Sequence, residues 1–471
     1  MKTVQSELDR RDFLKLAAMA PLALAVAPKS AGTIFWTRTA QQMDGFGASA
    51  AFHMAQNLRN FPDDSRNQML DLLFSRSRGA GLSVVRNIVG DGGSWGTPQN
   101  GPTLSIEPQE GVWNWTGDEE QIWFMQEAAA RGCTRYMSTV WSPPAWMKTN
   151  GDVIQGFLRP DKFQAFADYL SMYVRGYREH HGIDIYAISP SNEPDITVKY
   201  SSCWWTGEQF HTFLKDALIP AFARDNVTAK LILGEHSHWT EDPVLPSLDD
   251  PATEPRVDIV AAHAYAGADG HTPFVPLSLR TGNFVESRRL KKTIWQTEVG
   301  GDGPEIPGIR DALYWAKVIH THVAEDGVSA WFFWWAVNTH DDRGALIHLD
   351  MEKQTFVAAN RLYSIGNYSR FVRPGYVRLQ TDIDPTPGVY ISAFKGDASR
   401  TLVVVAINEN DDARPLEAHL DGASAASASV FRTSESENLA ALPDLPIASN
   451  TLKASLAPAS VTTFVAAISA P

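Results

Sequence analysis

The spacing of hydrophobic positions along this chain changes near residue 363. Before that point, short apolar runs typical of buried strands alternate with longer stretches in which apolar residues recur at helical spacing. The clearest helix is predicted at residues 160–179, where four aromatic residues and a leucine share one face. About eight strand–helix units follow one another from residue 46, and this number predicts a (β/α)8 TIM barrel over residues 46–363.

The remainder of the chain, residues 364–471, has a different pattern, in which short apolar runs are separated by turn residues. Strands are predicted at 376–379, 388–394, 402–407, 429–433 and 461–465. Several short strands in succession predict an accessory antiparallel β-sandwich. An alternating segment at residues 34–39 has no partner in the barrel, so we expect residues 32–45 to form a strand of the sandwich.

Residues 1–31 are predicted to be a signal peptide and not part of the fold. Arg10 and Arg11, followed by Asp-Phe-Leu-Lys, form a twin-arginine signature. The apolar run at residues 16–27 is too short to span a bilayer, and small residues at 23–27 offer cleavage sites. We therefore expect export through the twin-arginine route to the periplasm or the medium. Without another long apolar run, we expect no membrane anchor.

Composition narrows the class of partner. A net charge of -13 and a pI near 5.5 argue against nucleic acid or an anionic membrane surface as partner. The 15 tryptophans are compatible with a sugar ligand, because indole faces stack on apolar sugar surfaces, although tryptophans also fill cores. Cys133 and Cys203 are the only cysteines, and we predict neither a disulfide nor a cysteine metal site.

Two glutamates follow predicted strands at the position where parallel α/β folds place their chemistry. Glu193 comes after the strand-like run 183–188, and Glu298 comes after the run 291–296. A pair of carboxyl groups at such positions is what a glycosidase requires, one as acid/base and one as nucleophile. Two structural alternatives stay open: Glu193 could begin a helix, and Glu298 could form a buried ion pair with Arg86.

A metal site is the alternative for the segment after the fifth predicted barrel strand. His236 and His238, with Asp242, have a spacing known among metal ligands. Both histidines lie in a loop, however, and neither an HExxH helix nor clustered cysteines accompany them. We therefore favour a loop of the substrate cleft, and the sequence predicts no metal and no cofactor.

Taken in order, several segments of the mature chain resemble glycoside hydrolase family 30. They are residues 44–47, 79–87, 141–151, 192–194, 263–265 and 296–300. Each segment by itself is weakly specific, whereas their order along the chain is highly specific. The resemblance implies a (β/α)8 barrel with a β-sandwich built from both chain ends, in agreement with the periodicity.

The resemblance also implies roles for individual residues. Glu193 would be the general acid/base and Glu298 the nucleophile of a retaining hydrolase, with carboxyl groups about 5–5.5 Å apart. Asn192 would bind the sugar 2-hydroxyl, and Tyr265 would donate a hydrogen bond to Glu298. The remaining substrate-binding residues are expected to be Arg86, Trp141 and Trp334.

Segments 72–87, 147–151 and 200–202 are most similar to the fungal-type xylan-active subgroup, so β-1,4-xylan or its oligosaccharides are the expected substrates. Soon after Phe52 that subgroup has an arginine associated with a glucuronate side group, where this chain has His53 and Met54. Strict dependence on glucuronate is therefore not expected. Other substrates of the family, namely β-1,6-glucan, β-1,6-galactan or a glucosyl lipid, remain alternatives. So does a noncatalytic carbohydrate-binding barrel, and in each case we expect a monomer.

Overall fold

The computed structural model describes residues 29–93, 104–265, 284–301, 308–339 and 344–469. The twin-arginine segment and its cleavage sites therefore lie outside the described residues. The first strand, β1 (Ser30–Gln42), begins inside the segment that was assigned to the signal peptide, because Ser30 and Ala31 already pair with Leu416 and Glu417. Within the described ranges, no helix has the length and apolar character needed to cross a membrane.

Eight parallel strands form the barrel. Their bounds are β2 Gly45–Ser49, β3 Val84–Val89, β4 Arg135–Val140, β5 Ala187–Ser189, β6 Lys230–His236, β7 Ile259–Ala262, β8 Thr293–Gln296 and β9 Ala330–Asn338. The sheet closes where Ala330 of β9 pairs with Gly45 of β2 on one side and with Trp295 of β8 on the other. Nearly every strand residue is buried, since the barrel interior covers one face and helices cover the other.

Helices follow the strands and form the outer layer. Their bounds are α1 Met54–Arg59, α2 Asp63–Phe74, α3 Glu119–Ala130, α4 Phe163–His181, α5 Gly207–Phe213, α6 Ile219–Arg224, α7 Leu245–Asp249, α8 Val285–Arg289, α9 Ile309–His320 and α10 Asn360–Ser369. A π-helical segment, Leu214–Leu218, joins α5 to α6, and a second, Thr321–Glu325, extends α9. Helix α4 buries its predicted aromatic face and ends at Gly182, which adopts the left-handed conformation that favours glycine.

The second unit is a nine-stranded sheet. The hairpin β10 (Ala345–Asp350) and β11 (Thr355–Ala358) still belongs to the barrel sheet. The strands of the second sheet are β1 together with β12 Val377–Thr381, β13 Val389–Gly396, β14 Thr401–Asn408, β15 Arg414–Asp421, β16 Ser427–Ser434, β17 Glu437–Pro446, β18 Thr451–Leu456 and β19 Ser460–Ala467. In space their order is β17-β16-β19-β14-β13-β12-β1-β15-β18. Strand β18 packs across β14 and β17, so the sheet folds over its own apolar core.

The predicted fold class, a TIM barrel with a separate and mostly antiparallel β-domain, is confirmed. One detail differs from the fully antiparallel sandwich that was predicted, because β1 runs parallel to β15 from Ser30 to Phe35. The long connection between the two strands, which contains the entire barrel, makes a parallel pairing possible where a short hairpin would force an antiparallel one.

Helix α10 connects the two units and shifts the predicted boundary between residues 363 and 364. The helix runs unbroken across that point and packs on α9 on one side and on β16, β17 and β19 on the other. Its Asn367 accepts a hydrogen bond from Thr433 Oγ1 (2.7 Å) and donates one to Thr463 Oγ1 (3.0 Å). The helical layer of the barrel therefore extends to Ser369.

Candidate active site

The two glutamates lie at the carboxyl ends of the fourth and seventh barrel strands. Glu193 follows β5 and adopts a left-handed backbone conformation with φ 45°, and its N–H donates to the carbonyl of Glu235 at 2.9 Å. Glu298 follows β8, and its carbonyl accepts a hydrogen bond from Ala264 at 3.1 Å. Both side chains are buried, and carboxyl oxygens of the two lie within 4.8 Å of each other. The turns after these strands thus bring together two groups that are distant in sequence.

A single guanidinium organises the floor of the site. Arg86, on β3, donates from Nη1 to Glu298 and from Nη2 to Asn192 Oδ1 (2.7 Å) and Glu235 Oε1 (3.1 Å). Its side chain is 1% exposed and lies 4.5 Å from the ring centroid of Trp141. Arg86 therefore positions Glu298, Asn192 and Glu235 by direct contact, and its predicted contact with substrate stays a prediction.

Each glutamate has its own set of donors. Tyr265 donates to Glu298 Oε1 at 2.8 Å. Tyr200 donates to Glu193 Oε2 at 3.2 Å, and Nδ1 of His263 lies 3.1 Å from Glu193 Oε1. Burial raises the pKa of both tyrosines well above the ordinary value, so their hydroxyl groups remain protonated donors.

Several charged groups act on Glu298 at once. Burial raises the pKa of Glu298, and the negative charge of Glu193 acts in the same direction, while His263 and Arg86 oppose both. The hydrogen bonds that Arg86 and Tyr265 donate to Glu298 favour the ionised form of that carboxyl group.

Burial by itself disfavours a charged ring at His263, but the carboxyl groups of Glu298, Glu193 and Glu235 outweigh it and raise the pKa of His263 to about 9. For Glu235, burial favours the neutral acid, but Arg86 and His263 together lower its pKa to about 2. The site thus contains a buried histidine and a third buried carboxyl group in addition to the two predicted glutamates.

Aromatic rings form one side of the site. Trp334, on β9, is partly exposed, and its ring centroid lies 5.7 Å from that of Trp141, which is 2% exposed and follows β4. Phe52 packs edge-on against Trp141 at 5.1 Å. Trp334 can therefore offer a face to a sugar ring. Trp141 packs against Trp334 and Arg86, and its predicted contact with substrate stays a prediction.

Sequence reasoning missed Glu235 and assigned no role to His263 or Tyr200. The same rule that identified the other two glutamates would have found Glu235, since it stands near the end of the fifth barrel strand. The pairing of β6 with β7 shifts register between Gly234 and His236, and Glu235 adopts φ 54°. This irregularity leaves the Glu235 side chain fully buried beside Arg86.

The two histidines considered for a metal have different surroundings. Nδ1 of His238 lies 3.0 Å from Asp195 Oδ2, while burial lowers the pKa of His236 to about 4. Among the described residues, the three that do gather possible ligand atoms within 4.8 Å are Glu193, His263 and Glu298. A guanidinium already binds Glu298, and its positive charge disfavours a cation there, so this cluster is better suited to acid/base chemistry than to metal binding.

Comparison with known proteins places the chain in a family. Residues 31–266 match the model of O-glycosyl hydrolase family 30. Glucuronoxylanase XynC of Bacillus subtilis is 30% identical over 354 residues, which cover 73% of this chain and 77% of that protein. The family 30 subfamily 8 xylanase Xyn30A of Clostridium acetobutylicum superposes with a TM-score of 0.74 at 27% identity, covering 93% of this chain and 99% of that one. The catalytic domain of xylanase C of Talaromyces cellulolyticus gives 0.76 at 25% identity, with 92% and 99% covered.

Proposed function

Because this chain belongs to glycoside hydrolase family 30, we propose that it hydrolyses β-1,4-xylan or xylo-oligosaccharides with retention of anomeric configuration. The observation that carries the proposal is the pair of carboxyl groups, Glu193 and Glu298, whose oxygens approach within 4.8 Å across two strand ends. A short separation leaves no room for water between an inverting acid and base, and it suits a nucleophile that attacks the sugar directly. The names of the xylan-active relatives support the substrate class.

In the first step, a carboxylate oxygen of Glu298 forms a bond to the anomeric carbon as the glycosidic C–O bond breaks. Glu193 gives its proton to the leaving oxygen, so the products are a glycosyl ester on Glu298 and a shortened glycan. In the second step, the Glu193 carboxylate takes a proton from water while the water oxygen attacks the same carbon. The ester bond breaks, and Glu298 is released as a carboxylate.

The surrounding residues prepare the substrate for these steps. Since Asn192 Oδ1 accepts a hydrogen bond from Arg86, the amide nitrogen of Asn192 is left to donate, as binding of the sugar 2-hydroxyl requires. Tyr265 fixes one oxygen of Glu298 and leaves the carboxylate oriented for attack. The partly exposed face of Trp334 would lie against the sugar bound at the reacting position.

Chemical rescue tests the assignment of the two glutamates. Glu298→Ala should abolish turnover of an aryl β-xyloside, and azide should restore it by occupying the gap to give an α-glycosyl azide. Glu193→Ala should instead give the β-azide, because its nucleophile is intact. A β-azide from Glu298→Ala, or an α-azide from Glu193→Ala, would show that the roles are reversed.

The substrate class requires a separate experiment. Release of reducing sugar should be measured on xylan, β-1,6-glucan and β-1,6-galactan at equal mass concentration. Xylan should give the highest rate, and Glu298→Gln should abolish it without loss of the folded state by circular dichroism. Faster hydrolysis of either β-1,6-linked polymer would replace xylan as the proposed substrate, and binding without hydrolysis would support the noncatalytic alternative.

We also propose that the protein is exported through the twin-arginine route and acts as a monomer. The support for export is the sequence of residues 10–15 and the apolar run that follows it. Replacing Arg10 and Arg11 together by lysine should leave full-length precursor in the cytoplasm, whereas unchanged export would exclude this route. Sedimentation of the mature protein tests the oligomeric state.

A further inference from the structure

We propose that Glu235 is a positioning residue that keeps His263 as an imidazolium, and that this cation stabilises the carboxylate form of each catalytic glutamate in turn. The inference deepens the proposed function and rests on its assignment of Glu193 and Glu298. Glu235 itself is fully buried, so it acts through its neighbours.

Carboxyl oxygens lie on both sides of the His263 ring, at hydrogen-bond distance from Nδ1 and at ion-pair distance from Nε2. Nδ1 lies 3.1 Å from Glu193 Oε1, while Nε2 lies 3.8 Å from Glu235 Oε1 and 3.9 Å from Glu298 Oε2. Ionised carboxylate oxygens only accept hydrogen bonds, and a neutral imidazole carries a proton on one nitrogen alone. A ring placed between carboxyl groups on both sides is therefore most stable as the doubly protonated cation.

Glu235 supplies the counter-charge that makes a buried cation tolerable. With Glu193 protonated, the carboxylates of Glu235 and Glu298 balance Arg86 and His263. After the first chemical step Glu298 is a neutral ester and Glu193 is ionised, so the four charges again sum to zero. An isolated charge in such an interior would be strongly unfavourable, and the Glu235 side chain prevents one at both stages.

Within the described part of the chain, the titratable side chains around the ring come from the barrel strands and the turns that follow them. They are Glu193, Glu235, His236, Tyr265 and Glu298, and Arg86 binds two of these carboxyl groups. Of these, His236 is neutral above about pH 4 because it is buried, and the hydroxyl of Tyr265 keeps its proton. The charge on His263 therefore depends on its three carboxyl neighbours, and among them Glu235 alone takes no part in bond making.

Glu235→Gln in the full mature chain tests the proposal by two measurements. In ¹⁵N-histidine NMR, wild-type His263 should show two protonated ring nitrogens up to about pH 8, and Glu235→Gln should lose one of them at least about one pH unit lower. His263→Asn identifies the signal. At pH values where the variant ring has lost its proton, the alkaline limb of the kcat/KM profile should move to higher pH, because the charge that stabilised the Glu193 carboxylate 3.1 Å away is gone. Glu235→Asp should restore the cation.

Glu241→Gln is the matched control, since Glu241 is a buried carboxylate outside the site that accepts hydrogen bonds from the N–H groups of Glu286 (2.8 Å) and Ser287 (2.9 Å). This variant should lose stability with no movement of the pH profile. A neutral His263 in the wild type at pH 7 would overturn the proposal, and so would a shift of the Glu235→Gln profile to lower pH with His263 still charged. If Glu235→Gln does not fold, the protonation of His263 in the NMR spectra of the wild type and of Glu235→Asp tests the proposal instead. The NMR measurement needs no turnover, so a charged His263 in a protein that fails to cleave xylan would contradict only the proposed substrate.

Discussion

Arg86→Lys is the most informative single substitution, because it keeps the positive charge and removes only the forked geometry. Arg86 binds three acceptors from two nitrogens, on Glu298, Asn192 and Glu235. A lysine ammonium is a compact point charge on a flexible stem, and it cannot reach three acceptors that a planar guanidinium spans. We expect it to keep one of these contacts and lose two.

The magnitude follows from the hydrogen bonds that are lost. Two hydrogen bonds to charged groups are worth about 1.5–3 kcal/mol each, or about 3–6 kcal/mol together, divided between folding and catalysis. The part of this free energy that comes from orienting Asn192 and Glu298 stabilises the transition state. If it amounts to about 2–4 kcal/mol, kcat/KM falls by about 30- to 1,000-fold. The remainder should lower the free energy of unfolding.

The assay compares kcat/KM on a xylo-oligosaccharide with urea unfolding of the same preparation. Arg361→Lys provides the matched control. Arg361 lies on helix α10, outside the site, where it is also buried and donates from Nε to Asp311 at 2.8 Å. The control should lose stability while kcat/KM changes less than about threefold. If Arg86→Lys keeps kcat/KM within threefold of wild type, the guanidinium fork does not position the catalytic groups and the reasoning is refuted.

Three further predictions concern stability and specificity. Because the folded pKa of His263 is about 9, above an ordinary value of about 6.5, its charge stabilises the fold fully below pH 6.5 and loses this effect as the pH rises through 9. The difference in unfolding free energy between wild type and His263→Asn should therefore narrow from pH 6 to pH 9, and a constant difference would contradict it. Gly176→Ala should cost about 1–3 kcal/mol in urea unfolding, since the new Cβ would overlap the indole of Trp115, and an unchanged midpoint would show that the indole moves freely. Met54 is buried in α1 and, as a thioether, neither donates nor carries charge, so glucuronate-decorated xylo-oligosaccharides should be preferred by less than about tenfold. A larger preference, worth more than about 1.4 kcal/mol in kcat/KM, would show that another cation binds the glucuronate.

The barrel could be predicted because its signal is local and repeated. Each buried parallel strand is a short apolar run, and each covering helix, such as α4, shows an apolar face of its own. The boundary between the barrel and the second unit was harder to predict. Helix α10 packs on both units, so its apolar positions do not assign it to one of them. The parallel pairing of β1 with β15 left no mark in either strand, since a partner's direction does not alter the alternation of residues.

The order of apolar and polar residues is enough to place Glu193 and Glu298 at strand ends, and hence on the carboxyl face of a barrel. The partners that surround them follow from how the strands pack in three dimensions. The inward turn of Glu235 depends on a register shift in β6, and the burial of Arg86 depends on Trp141 from a neighbouring strand. The pKa values of the buried groups depend on the distances between them. Because these groups are far apart along the chain, their distances are fixed when the barrel closes.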